Sequence, residues 1–146
     1  MADLQPNIKE FNEITAVIFA QLYVSFPADL KLEPAEIAKV LGVSETEKLP
    51  SGRAFNEIFA HTLARLIREG FVDSYGDYPR ERCVLTTRAM TVMNVIPPNL
   101  RQPIGSELRE ATRDGSSTAS KKRMADLMGE FFGSLVGSMW KSIGNG

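Results

Sequence analysis

The sequence predicts a mainly α-helical fold with one small β-hairpin, and three observations carry the prediction. Apolar residues recur at helical spacing in several stretches, most clearly where Phe55, Ile58, Phe59, Leu63, Leu66 and Ile67 share one stripe. Two short apolar runs, FVDSY and RCVLT, flank the turn-forming GDYPRE, which is the pattern of a hairpin with a long loop. Pro27, Gly42, Gly70 and the pair Pro97-Pro98 stand where these helices would stop.

In chain order, Ile8 to Phe26 begins at helical spacing and then becomes apolar almost all round, so this helix needs cover on more than one side. The stretch LEPAEIAKVLGVS reads as a helix of about two turns, with Pro34 in its first turn and Gly42 as a left-handed cap. After SETEKLP comes the long amphipathic helix, with Ser51 expected to cap it. The hairpin follows, and then a helix through RAMTVMNVI that Thr86 or Thr87 can cap. Beyond Pro98 the expectation is a short helix around Glu107 to Arg113 and a flexible link through DGSSTAS. The resulting organisation is a body over residues 1–97, a link over 98–123 and a terminal amphipathic helix over 124–146.

Composition narrows the function classes without naming one. The chain has 146 residues, 43% hydrophobic and 24% charged, and a formal net charge of −1, which exerts no global pull on polyanions. Ten Lys and Arg stand against thirteen Asp and Glu through Pro97, and seven against five beyond it, so the basic surplus lies in the tail. Cys83 is the single cysteine and the opening MADLQPNIKE lacks the pattern of a secretion signal, so the cytoplasm is the expected compartment. The uncharged run from Phe131 to Trp140 spans about 15 Å of a hydrocarbon layer about 30 Å thick, too little for a membrane crossing.

The segments EIAKVLGVS, TLARLIREGFV and VLTTRAM stand in the order and spacing of a winged helix-turn-helix domain, and residues 34 to 96 resemble that class, with Ile8 to Phe26 similar to its first helix. The resemblance implies double-stranded DNA as partner and transcriptional control as role. It would set Ser51, Arg53 and Asn56 toward base edges in a major groove, and Arg80 and Arg82 on the wing toward phosphate or the minor groove. Two features depart from this. SETEKLP lengthens a normally tight turn, and Glu57, Asp73, Asp77 and Glu81 would repel a phosphate backbone. Ala60 and Ala64 smooth the outer face of the long helix, which would equally suit a protein partner.

No catalytic residue, metal site or cofactor is expected. One His and one Cys cannot make a His/Cys metal cluster, and no phosphate-cradling glycine loop occurs. His61 lies one helical turn from both Glu57 and Arg65, the spacing of a surface ion network, and Cys83 reads as a small buried residue in the second strand.

The tail poses the sharpest question. Gly129, Gly133 and Gly137 form a stripe in a helix whose large apolar residues fill an arc of about 220°. Each glycine weakens a helix by about 1 kcal/mol relative to alanine, so a compensating contact is expected. Packing on the first helix, within one chain or across a homo-oligomer, would use Phe19, Leu22 and Tyr23 against Gly129, Phe132, Gly133, Val136, Gly137 and Trp140. A membrane surface, helped by Lys121, Lys122 and Arg123, and the groove of a protein partner are the competing destinations. An interaction adaptor that binds no DNA is the alternative function.

Overall fold

A computed structural model describes residues 4–144, with side chains over 4–135. Six helices and a two-stranded antiparallel sheet follow in the order α1 (Pro6–Ser25), α2 (Pro34–Val40), α3 (Phe55–Arg68), β1 (Val72–Ser74), β2 (Cys83–Leu85), α4 (Thr87–Met93), α5 (Ile104–Ala111) and α6 (Thr118–Gly144), with a short 3-10 turn at Thr112–Asp114. The mainly helical fold with one small hairpin is therefore present.

The apolar character of α1 is explained by its position, because every residue from Ile14 to Ala20 is buried, and Leu22 with them. It runs through the centre of the molecule with α3, α5, α6 and β2 packed around it. The heaviest cover is aromatic: the Phe131 ring of α6 lies 5.0 Å from that of Phe19 and 5.4 Å from that of Phe71, and Phe132 stacks on Phe11 at 6.4 Å. Edge-on and tilted rings of this kind add favourable quadrupole contact to the area they bury.

Several local expectations hold in detail. Gly42 and Gly70 end α2 and α3 with φ of +77° and +81°, a conformation that side chains rarely adopt. The Thr86 hydroxyl accepts from the Ala89 amide at 3.1 Å and caps α4. In the hairpin Val72 pairs with Leu85 and Ser74 with Cys83.

Other expectations shift. Ser51 does not cap α3, because the helix starts three residues later with Ala54 as its cap. The Phe55 and Asn56 amides donate instead to the Glu47 and Glu45 carbonyls, each at 2.9 Å, so backbone rather than a hydroxyl satisfies the first turn. The short helix expected around Glu107 to Arg113 lies at Ile104–Ala111, where Gly105 lets α5 approach the Tyr23 ring so closely that a Cβ there would fall 2.5 Å from it. The DGSSTAS stretch, expected as a flexible link, is a tight turn at 115–117 that leads straight into α6. Gly115 is buried, and a Cβ on it would meet Val40 side chain and carbonyl at 2.9 and 3.0 Å. Helix α6 then begins at Thr118, earlier than residue 124, and Arg123 in its second turn pairs with Glu107 and Glu110 of α5.

Met124, Leu127, Met128 and Phe131 are all buried, so the first half of α6 belongs to the core. Phe131→Ala is expected to destabilise the protein by about 3–5 kcal/mol in urea denaturation, the cost of a buried ring plus its cavity. Deletion of residues 124–146 removes four core side chains, and far-UV circular dichroism should show loss of the cooperative fold, whereas a chain ending at Leu135 should retain it.

Candidate functional site

Of the residues that the DNA-reading resemblance singled out, Arg53, Asn56 and Arg82 are exposed and Arg80 is half-buried, the Ser51 hydroxyl is closed to solvent and so does not face a groove as expected, and each cation is engaged within the chain. Arg53 pairs with Glu57 one turn along α3 at 2.5 Å. On the hairpin Arg80 reaches Glu33 at 3.3 Å, and the Arg82 guanidinium donates twice to Asp29, from Nε at 3.1 Å and from a terminal nitrogen at 2.9 Å. The Ser51 amide donates to the buried Glu10 carboxylate at 2.9 Å. Asn56 is exposed with its backbone amide held by Glu45. The start of α3 is thus covered by the segment after α2, where a turn at Gly52 and a β-bridge between Lys48 and Ala54 fold the chain back. Glu45 and Glu47 come with it.

The outer face of α3 is as expected, with Arg53, Asn56, Glu57, Ala60, His61, Ala64 and Arg68 all exposed. The ion network differs from the predicted one. Glu57 turns back to Arg53, and Arg65 goes forward to Glu69 at 3.2 Å, which leaves the His61 ring outside both pairs. A groove of about 630 Å³ runs between this face and the start of α1, floored by Phe11 and Ile58 and rimmed by His61, Arg65 and Arg68.

Of the residues assigned to an assembly surface, Phe19 and Leu22 are fully buried within the chain. The cover that α1 requires comes from α6 of the same molecule, which corrects the expectation that they present an interface. Tyr23 is half-buried, its ring against Gly105 and its hydroxyl 3.5 Å from the Asn94 side-chain oxygen. Phe132 is half-buried against Phe11 and Phe71. Gly129 and Gly133 are exposed, and a Cβ on either would meet nothing within 4 Å among the described residues. The side chains at Val136 and Trp140, and the surroundings of Gly137, lie outside the described residues.

A second concavity, about 960 Å³, lies between the first turns of α1, the segment 41–50, and the start of α6. No local sequence pattern marks it, because its walls come from three stretches far apart in the chain. Glu13 stands in it half-buried, and burial pushes its carboxyl above the usual range, against the pull of Lys121 and Lys9 and with Glu10 adding to the rise. At Cys83, burial first and Asp29 second push the thiol up to about 11, and its S–H points to the Pro79 carbonyl at 3.0 Å. That cysteine is a protonated core group rather than a nucleophile.

Among the described residues no group of three or more His, Cys, Asp or Glu is placed to hold a metal ion, and no helix is long and apolar enough to cross a membrane. Comparison with family models, curated proteins and solved structures finds no match.

A raised carboxyl binds its proton more tightly folded than unfolded, so it subtracts from stability as pH rises from the ordinary value of 4.5 through the folded one. Glu13→Gln is therefore expected to raise the thermal midpoint at neutral pH, with the gain fading below about pH 4 as wild-type Glu13 becomes neutral in both states. Differential scanning calorimetry across pH measures it.

Proposed function

We propose that the chain is a protein-interaction adaptor on a winged-helix-like body, assembling with a second copy of itself through the open side of α6. The observation that carries this is the placement of Gly129 and Gly133. Packing among the described residues makes no use of their missing Cβ atoms, yet each weakens α6 by about 1 kcal/mol relative to alanine. Close approach of another backbone is the contact that only such a bare helix face permits. The buried free thiol of Cys83 suits a reducing compartment, so the cytoplasm is the proposed location, and no catalytic role is proposed.

A second function, transcriptional control through double-stranded DNA, is favoured by the exposure of Arg53, Asn56 and Arg82. The ion pairs holding the two arginines are surface pairs, each worth up to about 1 kcal/mol, and phosphate could displace the carboxylates. The displaced Glu57 and Asp29 would remain beside the phosphates, together with the exposed Asp73, Asp77 and Glu81, and this ranks DNA second.

Three measurements test this reading. Multi-angle light scattering of the full chain is expected to give a mass above that of one copy, and Gly129→Leu with Gly133→Leu to return it to one copy while the fold persists. The paired alanine substitutions should raise the unfolding free energy of the dissociated chain by about 1 kcal/mol per site. A wild-type chain of single-copy mass at every concentration overturns assembly. Fluorescence anisotropy with random duplex DNA at low salt, where phosphate attraction is strongest, is expected to show no binding. Binding that weakens steeply with added salt would reverse the order of the two functions.

A further inference from the structure

Two rows of charge on the surface complement each other, and the fold consumes neither. Along the outer face of α3, Glu57, His61 and Arg65 follow at steps of four beside Ala60 and Ala64, all of them exposed. Along the open side of α6, Lys122, Asp126 and Glu130 follow at the same step beside Gly129 and Gly133. Lys122 and Asp126 are exposed and Glu130 is half-buried.

His61, Lys122, Asp126 and Glu130 enter no ion pair among the described residues. Glu57 and Arg65 pair only within α3, each through a single atom, and 43% and 56% of their side chains stay exposed. Such pairs hold a helix weakly, and they leave the second Glu57 oxygen and the other Arg65 nitrogens for a further partner.

The signs of the charges select a direction. Laid parallel, the rows match Glu57 to Lys122, His61 to Asp126 and Arg65 to Glu130. Laid antiparallel, they set Glu57 against Glu130 and Arg65 against Lys122. Rows at steps of four lie side by side when two helices cross at about 50°, and the small row of each helix then leaves room for the charged row of the other. Each row is about 12 Å long at 1.5 Å per residue, so one crossing accommodates all three pairs. The imidazole of His61 carries an N–H for Asp126 in either protonation state.

We propose that α6 of one copy docks parallel on the outer face of α3 of a second copy, with these three pairs fixing direction and register. The inference rests on the self-assembly proposed above and names the surface that the open side of α6 meets. In a dimer the contact forms twice, once for each α6.

The test uses full-length chains at low salt, with mass read by light scattering across concentration and the fold by far-UV circular dichroism. His61→Glu with Arg65→Glu makes the α3 row wholly acidic, and Asp126→Lys with Glu130→Lys makes the α6 row wholly basic. Either double variant alone is expected to keep the fold and to dissociate about tenfold or more readily than the wild type, because like charges then face each other. Mixed in equal amounts, the two should recover the wild-type mass, since the basic α6 row meets the acidic α3 row in one contact and native rows meet in the other. Should a double variant lose its fold, the single reversals Arg65→Glu and Glu130→Lys must show the same loss and the same recovery. Variants that assemble alone as well as the wild type, or a mixture that fails to recover, overturn this contact and leave self-assembly standing. A wild-type chain of single-copy mass at every concentration overturns both.

Discussion

The structure depends on the mutual burial of its first and last helices. Helix α1 is too apolar to present any side to water over Ile14–Ala20, and α6 carries Met124, Leu127, Met128 and Phe131 that need the same shelter. Contact between them hides both, with the Phe131 ring set between Phe19 and Phe71 as the hub. Because Phe71 lies in the short connection between α3 and β1, this one cluster also fixes the long helix and the hairpin relative to the central one. Helix α5 is drawn in by the same need, and Gly105 is the residue that lets it close on Tyr23.

Charge is arranged around that core in two ways with different consequences. Pairs such as Arg53–Glu57 and Arg65–Glu69 join neighbouring turns of one helix and stabilise it only slightly. Arg80–Glu33 and Arg82–Asp29 instead tie the hairpin to the segment before and at α2, across about fifty residues of chain. Cations that look available for phosphate when counted along the chain are therefore already facing carboxylates. The start of α3 is covered similarly by the fold-back that brings in Glu45 and Glu47.

Core packing leaves two features unused. On α6, packing consumes the side bearing Phe131 and turns Gly129 and Gly133 outward. Beside α1, packing buries the Glu10 carboxylate but completes only one of its oxygens.

Periodicity and punctuation were enough to locate most elements, since a stripe such as Phe55 to Ile67 and a stop such as Gly42 are properties of residues within a few positions of one another. They also showed that α1 and the tail needed cover. Local pattern could not show which partner would cover them, which way the glycines would turn, or that Gly115 would be a buried packing point rather than part of a loose link. It was equally silent on the cleft, whose acid, floor and rim come from α1, the segment after α2 and α6. By itself the sequence determined helices, hairpin and the presence of two apolar faces in need of shelter. Tertiary structure decided how those faces were satisfied and which charges were neutralised, because contacts between residues a hundred positions apart depend on how whole helices pack, and no short-range period records that.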